Sequence, residues 1–157
     1  MPKVNPIKYL VCMTPSDHSR VMLKFACLRA QKRGSRITLL HVVESSDLQG
    51  MLAVVEQLRE ERRTEAKAFM DEAAAYVKQV TGRPATVIIK EGNVEEQIIH
   101  TAQEDIDLNM IMIGVSGNQQ KRTVQVGNLV RALGEKLFVP LLIIPGALTD
   151  QQIEQLS

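Results

Sequence analysis

Five short apolar runs alternate along this chain with longer stretches of helical periodicity. That alternation constrains the fold more than any other feature. The runs are Ile7 to Met13, Arg36 to Val43, Ala85 to Lys90, Leu108 to Ile113 and Pro140 to Ile144. Most are uninterrupted, where a strand with one wet face would alternate apolar and polar residues. Such strands need cover on both faces, the condition of a parallel sheet between two helical layers. Crossovers of this kind are right-handed. The chain has 157 residues, enough for one domain and too few for two ordinary ones. We expect a single domain over residues 1–157, with a core from about 7 to 145 and a polar, loosely held tail from 146 to 157.

The segments between the runs carry helix signals. Thr14-Pro15-Ser16-Asp17 breaks the first run, and Ser16 or Asp17 can cap the helix that follows. That helix puts Val21, Phe25 and Leu28 on one face and stops at Gly34, a residue tolerant of left-handed geometry. A long helix is predicted from about Met51 to Val80. Its second half repeats apolar residues at Ala66, Phe69, Ala73, Tyr76 or Val77, and Val80. Its first half is rich in charge, with Glu56/Arg59, Glu60/Arg63 and Arg62/Glu65 three apart, and reads as a solvated face. Asn93 and Glu96 form a plausible capping pair before a third helix with Val94, Ile98, Ala102 and Ile106 on one side.

Composition excludes several activities. Lys and Arg number 19 against 18 Asp and Glu, which is not the strongly basic footprint of a nucleic-acid binder. There is no Trp, with two Tyr and three Phe, so base stacking on aromatic platforms is not expected. Cys12 and Cys27 lie in apolar patterns and read as buried thiols. Two cysteines and three scattered histidines give no zinc spacing. No apolar signal region opens the chain and no run is long enough to span a membrane, so a cytoplasmic protein is expected.

The stretch Met110 to Asn128, M-I-M-I-G-V-S-G-N-Q-Q-K-R-T-V-Q-V-G-N, is the strongest candidate for chemistry. A strand ending at Ile113 runs into a loop with Gly114 and Gly117. Gly127 and Asn128 then open a helix patterned on Val126, Val130, Leu133 and Leu137. Glycine lets backbone approach a ligand closely, and a helix start offers unpaired N–H groups and partial positive charge. Together they suit phosphate, and Lys121, Arg122 and Ser116 lie in the same loop. If strand 1 is central, the ligand crevice of such a sheet opens between the carboxyl ends of strands 1 and 4. It would be lined by Met13 and Thr14 on one wall and by Gly114 to Gly117 on the other, with Val42 close by.

These residues resemble the universal stress protein family, whose ATP-binding members carry G-x2-G-x9-G-[S/T] after the fourth strand. Gly114, Gly117 and Gly127 match that spacing, and Asn128 stands where the family has Ser or Thr. The segment I-T-L-L-H-V-V-E (Ile37 to Glu44), the region from Gly92 through Asp107, and V-P-L-L-I-I-P are similar to further parts of the family. The resemblance runs from about Ile7 to Pro145. It implies an open five-stranded parallel sheet in the order 3-2-1-4-5, Rossmann-like and similar to the adenine nucleotide alpha hydrolases. It also implies a homodimer paired through Val139 to Ile144, and ATP or another adenine nucleotide with Mg only as its counter-ion. The resemblance carries over Gly114, Gly117, Gly127 and Asn128 as phosphate-binding residues, and with Met13, Thr14 and Val42 of the crevice and Ser116 of the loop they make the candidate nucleotide site. Two departures stand at the end of strand 1, where nucleotide-binding members have an acidic residue followed by glycine. Thr14 brings no carboxylate, and Pro15 removes a backbone donor.

No catalytic constellation is apparent. Ser116 has no identifiable base. Asp105 and Asp107 form an acidic turn at the amino end of strand 4, away from the crevice. His41 reads as a structural histidine, His18 as exposed and His100 as unpartnered. A nucleotide-binding regulatory module, a related interaction module without nucleotide, and a slow ATPase or adenylate-transferring hydrolase are the three readings, in that order.

Overall fold

Tyr9, Val11 and Met13 pack on one side of the first strand, Leu10 and Cys12 on the other, and all five are buried. Both faces of the sheet are therefore core, which is why the strands read as unbroken apolar runs. The computed structural model describes residues 6–44, 55–116 and 126–157. In chain order the elements are β1 (Lys8–Met13), α1 (Asp17–Arg33), β2 (Arg36–Glu44), α2 (Val55–Thr81), β3 (Thr86–Gly92), α3 (Val94–Glu104), β4 (Leu108–Val115), α4 (Val126–Glu135), β5 (Leu141–Pro145) and α5 (Asp150–Leu156). The strands form one sheet in the order β3-β2-β1-β4-β5, parallel at every pairing. The expected architecture is the observed one.

On one face, α1, α2 and α5 cover the sheet through Met22, Phe25, Ala26, Met70, Val77 and Ile153. On the other, α3 and α4 cover it through Ile98, Ala102 and Leu129. Local chemistry sets the helix ends. Ser16, not Asp17, caps α1, its side chain accepting from Ser19 N–H. Gly34 closes that helix at φ 68°, and its N–H returns to Ala30 O. Asn93 caps α3 by accepting from Glu96 N–H. In α2 the buried residue of the alternative pair is Val77, with Tyr76 partly buried beside it.

Four expectations need correction. β4 continues past Ile113 to Val115, because Gly114 and Val115 pair with Ile144 and Pro145. α3 stops at Glu104, so Ile106 lies beyond the helix and is 93% exposed. α4 turns Leu129 and Ala132 inward and leaves Val130 exposed, a rotation the apolar spacing did not distinguish. The tail is not loose: residues 150–156 form α5, with a capping box between Thr149 and Gln152. Ile153 is 1% exposed in the core, Lys24 Nζ meets Asp150 at 2.7 Å, and Lys32 Nζ donates to Glu154 O at 2.7 Å. Ile153 in the core, Leu148 packed against it and these two lysine contacts dock the segment.

Candidate functional site

The strand order places the carboxyl ends of β1 and β4 side by side, with β2 on the far side of β1. Chain direction reverses its lateral progress there, and a parallel sheet offers its ligand crevice at that point. β1 ends at Met13, and Thr14 leads into α1. Thr14 N–H donates to Ser19 Oγ at 2.8 Å. Thr14 Oγ1 lies 2.8 Å from Ser16 Oγ and 3.1 Å from Ser19 Oγ. Ser16 N–H in turn donates to Thr14 O at 2.8 Å. The polar groups of this turn thus satisfy one another, and Thr14 faces the first turn of its own helix.

Met13, Thr14 and Val42 do come together, as the sequence suggested. With Cys12, Leu40, Val94 and Ile98 they line a cavity of about 20 Å³. That is room for about one water, which needs roughly 10–15 Å³ of such space. Val94 and Ile98 of α3 form its lid, a contribution that sequence reading took for core packing alone. Their apolar spacing next to the Asn93 cap was the available signal. Cys12 is buried here, and desolvation pushes its thiol pKa up to about 12. It is a wall, not a nucleophile.

On the β4 side, Gly114 is a strand residue. A Cβ built on it would lie 2.8 Å from His18 O and 3.4 Å from His18 Cδ2. His18 itself is 4% exposed, contrary to the expectation that it faces solvent. The first turn of α1 packs against β4 closely enough to bury it. Gly127 is in the first turn of α4, and no atom of the described residues lies within 4 Å of where its Cβ would be. Ser116 follows directly on β4. Gly117, Lys121 and Arg122 lie outside the described residues, as does the side chain of Asn128.

The remaining candidates take structural roles. His41 Nδ1 lies 2.9 Å from Met13 O, and its ring meets Phe69 edge-on at 5.3 Å. It ties β2 to the end of β1 under α2. His100 is exposed on α3. Asp105 meets Lys8 Nζ at 2.6 Å at the amino ends of the strands. That hydrogen bond holds its carboxyl below the usual carboxylate range. Among the described residues no cluster of His, Cys, Asp and Glu could hold a metal, and no helix is long and apolar enough to cross a membrane.

A model of the universal stress protein family matches residues 8–145. The chain belongs to that family. Comparison with curated protein sequences gives no significant match. Among solved structures, the chain is similar to the universal stress protein UspA from Lactobacillus plantarum, at 18% identity and a TM-score of 0.70, covering 90% of this chain and 99% of that one. A universal stress protein in complex with cAMP matches at 12% identity and a TM-score of 0.63, over 90% of this chain and 98% of that one. A universal stress protein family protein from Arabidopsis thaliana with AMP bound matches at 18% identity and a TM-score of 0.57, over 89% and 92%. At these identities the likeness shows a shared fold. The universal stress match ends at residue 145, so α5 lies beyond it.

Proposed function

We propose that this chain is a universal stress regulatory module that binds an adenine nucleotide, ATP foremost, where β1 and β4 end. The observation that supports this most is the switch point itself, where the carboxyl ends of β1 and β4 lie side by side. Met13, Thr14 and Val42 would shape the nucleoside end. Gly114, Ser116, Gly117, Gly127 and Asn128 would border the phosphates, with Mg²⁺ as their counter-ion only. The apolar lining of Cys12, Val42, Val94 and Ile98 suits the face of a base, once α3 has moved outward from its present contact. Family structures holding cAMP and AMP support the ligand class.

A second reading, an interaction module without nucleotide, is favoured by the Thr14 turn. Its hydroxyls and N–H are bonded among themselves, and it offers no carboxylate to a ribose or base. Thermal melting with ATP, ADP and AMP separates the two. Ligand at ~100 times its dissociation constant stabilises a fold by about 2.7 kcal/mol, a rise of roughly 5–10 °C for a domain of this size. Gly117→Val should abolish the rise, and Thr14→Asp should enlarge it. No shift with millimolar ATP in the parent or in Thr14→Asp rejects the nucleotide and leaves the interaction module.

The reading assigns no catalysis. Phosphate release well above that of a Gly114 variant would require an ATPase instead. We further propose a cytoplasmic homodimer joined along residues 139–144. β5 is an edge strand, and Ile143 is 40% exposed on it. Light scattering at micromolar concentration should give a dimer for the parent and a monomer for Ile143→Glu. A monomeric parent removes this part of the proposal.

A further inference from the structure

The cavity at the carboxyl ends of β1 and β2 is too small for the base that the proposed function assigns to it. It holds about 20 Å³, where small-molecule pockets run to roughly 300–1,000 Å³. A base can enter only if a wall moves, and the walls are unequal. Cys12, Met13, Leu40 and Val42 lie in β1 and β2, and each is held by ladder pairing to a neighbouring strand. Thr14 is held by its hydrogen bonds to Ser16 and Ser19. Among the described lining residues, Val94 and Ile98 alone belong to neither group. They sit on α3 and close the cavity by side-chain packing.

α3 is itself held unevenly. At its far end Ala102 is buried, and Asp105 accepts from Lys8 Nζ at 2.6 Å through its side chain and from Leu108 N–H at 3.2 Å through its carbonyl. That foot stands by the amino ends of the strands. At the near end the chain arrives from β3 through Gly92, whose φ of 136° is open to glycine and rarely to other residues. A Cβ there would lie 3.2 Å from Gln97 Nε2, so the first turn of α3 lies close over this glycine. The helix thus has a foot pinned by an ion pair and a head joined to the sheet by a glycine turn. The head carries Val94 and Ile98.

We propose that the head of α3 is a lid that an entering nucleotide pushes outward, the helix pivoting on its foot at Asp105. The proposal rests on the nucleotide reading of this site and adds how the site opens. The ligand binds the open arrangement only, so its binding free energy is what displaces the helix. The exposed face of α3, with Glu96 and His100, then stands in one place when the site is empty and in another when it is filled. Occupancy of a buried pocket becomes visible on the surface of the protein.

The test places spin labels on Glu96→Cys and Glu72→Cys together. Glu72 is exposed on α2, across the sheet from α3, and the two natural cysteines are buried. A second labelled pair joins Glu72→Cys to Gln103→Cys, near the foot. Pulsed electron-spin resonance on the full chain should show the head distance lengthening by roughly 2 Å or more on saturation with ATP, and the foot distance changing by less. Ile98→Val, which takes one methyl from the closed contact, should bind ATP about two- to tenfold tighter. An unchanged head distance while ATP still raises the melting temperature overturns the lid and leaves the nucleotide reading standing. So does weaker or unchanged binding by Ile98→Val, which would show that this contact does not oppose entry. No rise in melting temperature with ATP in the parent or in Thr14→Asp fails the nucleotide reading, and the lid falls with it.

Discussion

Gly114 of β4 and His18 of α1 are in such close approach that a Cβ at 114 would lie 2.8 Å from the His18 carbonyl oxygen. The first glycine of the loop motif is thus needed by helix-on-sheet packing, whatever the ligand. Gly114→Ala should destabilise the ligand-free protein by about 1–3 kcal/mol, the usual cost of overpacking. Gly127→Ala should not, since a Cβ there meets no atom of the described residues within 4 Å and its φ is not positive. There the gain is about 0.4–1 kcal/mol, from a less flexible unfolded chain. Urea melts of the two variants without nucleotide should move in opposite directions. An unchanged midpoint for Gly114→Ala would remove the packing account.

The Lys8–Asp105 pair should make stability depend on acid. Its hydrogen bond to Lys8 lowers the folded pKa of Asp105 below the unfolded value. The resulting stability is present above the unfolded value of about 3.9 and is lost as pH falls through the folded one. Both side chains are partly exposed, so screening keeps the contribution under about 1 kcal/mol. Asp105→Asn should therefore be slightly less stable than the parent at pH 7, with the difference shrinking toward pH 3. Parallel melting curves across that window would count against it.

α5 should be an integral part of the stable fold. Ile153 is 1% exposed between α5 and α1, and Ile→Ala at such a site costs about 2–5 kcal/mol. Ile153→Ala should lower the melting temperature by roughly 5–15 °C. Lys24→Met, which removes only an ion pair to an exposed Asp150, should change it little. A melting temperature unaffected by Ile153→Ala would return the segment to the loose tail that its composition suggests.

Cys12 and Cys27 should report unfolding and nothing else. Burial pushes both thiols to a pKa of about 12, so almost no thiolate exists at pH 8. A disulfide reagent should label neither in the native protein and both in denaturant. Labelling of Cys12 in native conditions, faster than global unfolding, would show that the lid formed by Val94 and Ile98 opens on its own.

Much of the fold was legible in the sequence, for a local reason. Unbroken apolar runs and capping residues such as Asn93 and Gly34 act over a few positions, so strands, helix starts and the parallel layered class follow from neighbours in the chain. The position of Met13, Thr14 and Val42 followed from where strands end only once strand 1 was taken as central, a strand order that the family resemblance implied. Legibility failed where distant segments meet. His18 is buried because α1 lies against Gly114 and Gly146, and no local pattern announces that contact. Which turn of α4 faces inward, and that Ile153 would find a seat on α1, were likewise decided by packing between elements.

The sequence by itself determined the strand and helix succession, the sheet's cover on both faces and the glycine spacing from Gly114 to Gly127, because each is written in short-range pattern. Only the tertiary structure decided how those parts are used. It turned Thr14 onto Ser16 and Ser19, lined the β1 pocket with Val94 and Ile98, and set β3 at the end of the sheet order. The physical reason is that close packing and hydrogen-bond satisfaction are settled between residues far apart in the chain, where spacing along the chain carries no information about distance in space.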